Sequence, residues 1–129
     1  MRSGIVALGV LFLFFSTLSY AQQELIGTYE GRWMAGGSGD AGAATLFPNY
    51  GTLKIVSAEN GKLSGTFTVG KYYCSGEYLI EGSYHDNKLE MRTGQGAKRD
   101  CGKEPLVVVV EGNKLVGKYS TYDIELSKK

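Results

Sequence analysis

The chain is predicted to be all-β, its mature part an eight-stranded antiparallel up-and-down barrel carrying one disulfide. Three observations predict it. The pattern apolar-x-Gly-x-aromatic occurs four times, as Leu25-Ile26-Gly27-Thr28-Tyr29, Leu63-Ser64-Gly65-Thr66-Phe67, Ile80-Glu81-Gly82-Ser83-Tyr84 and Leu115-Val116-Gly117-Lys118-Tyr119. Short alternating segments separated by Asn, Gly and Asp fill the rest of the chain, and none reads as a helix of useful length. Two cysteines, Cys74 and Cys101, lie far apart in a small chain.

Of the 129 residues, the first 21 have the three parts of a secretory signal. Arg2 is the positive n-region, Ile5 to Phe15 form an apolar stretch of eleven, and Ser19-Tyr20-Ala21 places small residues where a signal peptidase reads. A spanning helix needs roughly 20 apolar residues, so this stretch is too short to be one. Residues 22–129 are then a single domain, secreted or periplasmic, with cleavage predicted after Ala21 and no membrane insertion afterwards. Losing Arg2 leaves thirteen basic against thirteen acidic residues, dispersed along the chain. The densest basic run, Lys98-Arg99 with Lys103, is broken by Asp100 and Glu104, so there is no electrostatic footprint for nucleic acid.

Strands are expected at 25–33, 51–57, 62–69, 77–85, 88–93, 106–111, 114–120 and 122–127. The first of these ends in a long Gly- and Ala-rich connection, 34–50. Glu59-Asn60-Gly61, Asp86-Asn87 and Gly112-Asn113 supply the φ-positive-tolerant residues that tight hairpins need. In a strand, positions two apart share a face, so each repeat turns its apolar residue, glycine and aromatic the same way. A glycine so placed lets the strand coil sharply and leaves room for a neighbour, which closing a sheet on itself requires. Closure also removes exposed edges.

In an exported chain of this size the two cysteines form one structural disulfide, Cys74–Cys101, because a redox pair would stand as C-x-x-C. A closed loop of about 28 residues contributes roughly 3.5 kcal/mol on the chain-entropy view. A two-residue turn at Asp86-Asn87 makes facing residues sum to about 173, which sets Cys74 opposite residue 99. One bulge would bring Cys101 into reach.

The repeat, the meander of hairpins and the signal resemble the avidin and streptavidin family, and more broadly the calycin superfamily of small ligand-binding barrels. The resemblance covers about residues 24–120 and implies a barrel. It does not carry biotin binding. Where avidins place a biotin-contacting polar residue after the first Gly-x-aromatic, this chain has Gly31, and where their second copy ends in a contacting tyrosine it has Phe67. Trp33 is the single tryptophan, and Gly31-Arg32-Trp33 approximates the lipocalin Gly-x-Trp.

Catalytic and metal-binding signatures do not survive scrutiny, and no cofactor is expected. Gly37-Ser38-Gly39-Asp40-Ala41-Gly42 matches the dinucleotide fingerprint in letters only, since Pro48 follows and no βαβ unit does. As a connection at a barrel mouth, the segment could cover a cavity as a lid. His85 is the only histidine and abuts a turn. Glu77 and Glu81 share a strand face but stand ~13 Å apart, beyond the ~5–9.5 Å that glycoside hydrolysis uses. Glu30 and Glu111 alternate to the outside with them.

The inward face is predicted to carry Tyr29, Trp33, Phe67, Tyr84 and Tyr119, with Leu53, Ile55, Leu63, Leu89, Met91 and Leu115. Three readings follow. In the first, a non-enzymatic module uses those five aromatics to bind a small apolar, aromatic or sugar-like ligand in a cavity of a few hundred Å³ under the 34–50 connection. In the second, an inhibitor or immunity factor directed at an exported hydrolase has a filled interior, and Tyr72, Tyr73 and Tyr78 form a partly exposed contact surface beside Cys74. The third, a small hydrolase, needs Glu30 or Glu81 turned inward with a raised pKa.

Overall fold

The computed structural model describes residues 24–36, 46–72 and 74–129. The expected signal peptide with its cleavage site, the tip of the 34–50 connection and Tyr73 lie outside the described residues. Eight strands run in chain order: β1 Gly27–Gly36, β2 Leu46–Glu59, β3 Lys62–Val69, β4 Gly76–His85, β5 Lys88–Gly96, β6 Pro105–Glu111, β7 Lys114–Tyr119 and β8 Tyr122–Lys128. Each pairs antiparallel with the next, and β1 pairs with β8 from Tyr29↔Lys128 to Arg32↔Glu125, so the barrel is closed.

The turns follow from their residues. Asn60 and Gly61 both hold positive φ, 54° and 77°, which suits the twist of a two-residue hairpin between β2 and β3. Asp86 (φ 55°) does so between β4 and β5 and Gly112 (φ 64°) between β6 and β7, and Ser120 (φ 54°) links β7 to β8. β1 and β2 pair as far as Gly36↔Leu46, so much of the predicted 34–50 connection is strand.

Three of the repeat glycines explain the coil. A Cβ on Gly65, Gly82 or Gly117 would stand 1.8, 2.1 or 2.0 Å from a carbonyl oxygen of the neighbouring strand. In β1 the equivalent crowding falls on Gly31, 1.9 Å from the Glu125 carbonyl oxygen, rather than on Gly27 of the repeat. The reason is the β1–β8 seam, whose pairing begins only at Tyr29.

Leu53, Ile55, Leu63, Leu89, Met91 and Leu115 are buried inside as expected. β4 and β5 keep a sum of 173 from His85↔Lys88 to Ile80↔Thr93, then shift by one residue to Tyr78↔Gly96. That shift is the expected bulge. A single 3-10 turn, Arg99–Cys101, completes the approach, and Cys74 and Cys101 are bridged with Cα atoms 5.7 Å apart.

Candidate functional site

The barrel has two unlike ends. At one stand the tight turns at 60–61, 86–87 and 112–113; at the other stand residues 70–72, 74–75, 97–104 and 120–121, with the strand ends Gly36 and Leu46. We call these the turn end and the loop end.

Toward the loop end the interior is filled. Trp33, Phe67 and Tyr119 are buried and pack on one another, with ring centroids 6.1, 5.5 and 4.9 Å apart in the pairs Trp33–Phe67, Trp33–Tyr119 and Phe67–Tyr119. Edge-on and offset rings at this spacing occupy space a ligand would otherwise take. Trp33 Nε1 is buried there without a hydrogen-bond partner. Burial, with smaller contributions from Glu104, Tyr78 and Tyr122, pushes the Tyr119 hydroxyl up to about 12. The five inward aromatics are therefore split. Three stack on one another toward the loop end, whereas Tyr29, buried in the same core, and the half-buried Tyr84 line a pocket of about 410 Å³ at the turn end.

Tyr78 is a correction. It was expected at a partly exposed surface with Tyr72, yet its exposure is 0%. It sits at an inward position of β4, opposite Phe67 on β3, and its hydroxyl donates to the Cys74 carbonyl at 2.9 Å. The aromatic partner of Tyr72 comes instead from β2. Tyr72 is 46% exposed and its ring lies 5.6 Å from that of Phe47, itself 41% exposed. Tyr50, 48% exposed, crosses Gly70, and Lys71 Nζ stands 6.0 Å over its ring. Pro48 and Tyr50 face Met34 and Arg32 across the β1–β2 ladder, so the exposed Met34 extends the patch. Tyr50, Phe47 and Met34 were not singled out in sequence. They fall in the stretch expected as a connection, and strand alternation would not have grouped them, because Phe47 and Tyr50 stand three apart on opposite faces of β2.

Backbone and side-chain bonds hold this rim in place. Asn49 is buried opposite Trp33 on β1. Its Nδ2 donates to the Lys71 carbonyl at 3.1 Å and its Oδ1 accepts from Lys71 N–H and Tyr50 N–H, each at 2.9 Å. On the far side of Tyr72 the disulfide anchors Cys74, and Ser75 N–H donates to the Tyr72 carbonyl at 3.0 Å. Between these anchors Tyr72 is held at φ 73°, a left-handed conformation that costs a bulky side chain of order 1–3 kcal/mol. The neighbouring 97–104 segment is pinned by Thr93, whose hydroxyl donates to the Cys101 carbonyl and accepts from Glu104 N–H, both at 2.9 Å.

The remaining polar groups do not converge. Glu30, Glu77, Glu81 and Glu111 are exposed, and Glu30 pairs with Lys129 at 3.0 Å. His85 Nε2 lies 3.4 Å from Asp86, both fully in solvent. Among the described residues there is no group of three His, Cys, Asp or Glu that could hold a metal ion, and no helix long and apolar enough to cross a membrane. A wider open groove, about 990 Å³, runs along the outer wall over β3–β6 past Leu79, Glu81 and Arg92. Compared with protein-family models, curated proteins and solved structures, the chain matches none. Fold and site define an eight-stranded, disulfide-stapled antiparallel barrel with an aromatic rim at its loop end.

Proposed function

We propose that the chain is an exported, protein-binding barrel that acts as an inhibitor of, or immunity factor against, an exported hydrolase. The observation that carries this reading is the rim: Phe47, Tyr50 and Tyr72, each roughly half exposed, stand at the loop end, where the Phe47 and Tyr72 rings meet and Tyr72 itself is strained. Aromatic side chains are enriched in protein interfaces and at their energetic centres, and strain tends to persist where a site uses it. The packed interior beneath the same end supports this reading over a ligand held under the 34–50 connection. The disulfide fits an oxidising compartment. A calycin-type ancestry agrees with the barrel but supplies no ligand. The hydrolase reading lacks its inward carboxylate, since Glu30 and Glu81 are both exposed.

The test is native mass spectrometry on the mature protein isolated gently from its own source, alongside hydrolase assays of the same extract. We expect a stoichiometric second protein and a suppressed hydrolytic activity, both lost in Phe47→Ala/Tyr72→Ala. A bare monomer in wild type, or an adduct of small-molecule mass alone, overturns the reading.

A further inference from the structure

The pocket at the turn end plays no part in the rim. Its floor is apolar: Leu25, Tyr29, Val110 and Leu115, with Tyr84 forming one wall. Leu25, Tyr29 and Leu115 are buried, and the Tyr29 hydroxyl is already committed, donating to the Leu25 carbonyl at 2.9 Å. Burial and the nearby Glu24 carboxylate both raise its pKa, so it stays a neutral donor. The lip is polar and comes from two hairpin turns, through Asn87 and Asn113. At about 410 Å³ the space falls within the ~300–1,000 Å³ of small-molecule sites, and it combines an apolar body with a few polar groups at the rim as such sites do.

The lip carries three charged side chains, Glu24, Lys114 and Lys128. Lys114, on the lip, is neutralised by Glu125 at 3.0 Å. Lys128 is not so paired. Its ammonium donates to the backbone carbonyl of Glu24 and stands 5.8 Å over the Tyr29 ring, and no ion pair among the described residues includes it. An ammonium whose hydrogen bond goes to a neutral carbonyl keeps donors free for a carboxylate, and a charge-assisted bond is the stronger one.

We propose that this mouth binds a small amphipathic carboxylate, with its ring or branched chain between Tyr29 and Tyr84 and its carboxylate at Lys128. The site is separate from the rim and stands or falls without it.

The experiment is amide chemical-shift mapping by NMR on the mature protein, with phenylpropionate and its uncharged counterpart phenylpropanol as probes. Both should give saturable shifts at residues 84–87 and 110–115. The carboxylate should bind about three- to tenfold more tightly than the alcohol. Lys128→Gln should abolish that difference, whereas Lys54→Gln on the outer wall should leave it intact. Tyr84→Ala, which shortens the pocket wall without touching Lys128, should weaken both probes. Phe47→Ala and Tyr72→Ala should change neither. Absence of saturable shifts at those amides with millimolar probe overturns the site. So do shifts centred on Phe47, Tyr50 and Tyr72. Equal affinity for acid and alcohol in the wild type overturns the carboxylate assignment.

Discussion

The Tyr78 hydroxyl donates to the Cys74 carbonyl, four residues upstream, as the Tyr29 hydroxyl does to the Leu25 carbonyl, each at 2.9 Å. The two tyrosines bind the entering segment of a strand at opposite ends of the barrel. The hydroxyl is a small part of a side chain otherwise used for packing, so phenylalanine isolates its contribution. Tyr78→Phe should cost about 1–2 kcal/mol, because the lost bond leaves a carbonyl short of a partner in a largely apolar setting. Tyr29→Phe should cost a similar amount. Urea titration measures both, and a change below a few tenths of a kcal/mol in either would remove these bonds from the account of stability.

Reducing the Cys74–Cys101 bridge, or replacing both cysteines by alanine, should lower stability by about 3.5 kcal/mol, the loop-entropy value for a separation of 27. The effect acts mainly on the unfolded chain. It should therefore appear as a shifted midpoint in denaturant, with the protein still able to fold. The rim should loosen as well, since Cys74 is one of the two anchors of Tyr72.

Glycine positions separate crowding from mere flexibility. Gly65→Ala sets a methyl group 1.8 Å from the Lys54 carbonyl oxygen, and two hydrogen-bonded strands must part to accept it. The expected cost is about 3 kcal/mol or more. Gly94→Ala meets the Leu79 carbonyl oxygen only at 3.7 Å, an ordinary contact at a φ that alanine adopts. There the loss of unfolded-state freedom should leave stability unchanged or raise it by ~0.5 kcal/mol. Thermal unfolding of the pair decides it. Equal effects would mean that the repeat glycines are not spacing devices.

What was legible in the sequence was what periodicity writes plainly. The glycine–aromatic repeat fixed the face of Phe67, Tyr119 and the apolar core, and the turn residues at 60–61, 86–87 and 112–113 set the hairpins. The bulge beside Cys74 was legible because a register sum that misses by two must be absorbed somewhere. The rim was only partly legible. Tyr72 stood out, but its ring partner Phe47 lay in the stretch expected as a connection, and Tyr78 was grouped with Tyr72 by nearness in sequence although strand parity turns it inward. The pairing of Asn49 with the Lys71 backbone joins residues 22 apart, and no local pattern encodes it. The turn-end pocket was hidden for the same reason, being made where β1, β8 and two turns meet.

Tyr119 gives the protein an alkaline limit. Its hydroxyl is raised from 10.0 to about 12 by burial first, with Glu104, Tyr78 and Tyr122 adding to it. A pKa higher in the folded than in the unfolded chain means that the native state keeps its proton while the unfolded state loses it. The associated stability is fully present below pH ~10 and is lost as pH rises toward ~12, on the order of 2 kcal/mol in all. Tyr119→Phe should flatten that fall, while Tyr50→Phe, half exposed on the rim, should not. Unfolding free energies measured across the alkaline range decide between them. An unchanged slope in Tyr119→Phe would assign the alkaline loss to other groups.

The rim sets stability against binding at one residue. Tyr72 occupies φ 73°, where glycine suffers no steric penalty and a bulky side chain does. Its ring is about half exposed, so little buried area is lost with it. Tyr72→Gly should therefore hold stability within about 0.5 kcal/mol of wild type or raise it by up to ~1 kcal/mol, the relief of strain being partly offset by glycine's greater freedom when unfolded. Yet it removes an aromatic anchor from the centre of the proposed contact surface, so affinity for the partner recovered from the native source should fall at least about tenfold. Tyr72→Ala removes the same ring and keeps the strain, so it should lose affinity equally and gain no stability. Calorimetry on the isolated variants and titration against the partner measure the two quantities separately. Were Tyr72→Gly to bind as tightly as wild type, the ring would be a spacer in a strained turn and the contact surface would have to lie elsewhere on the barrel.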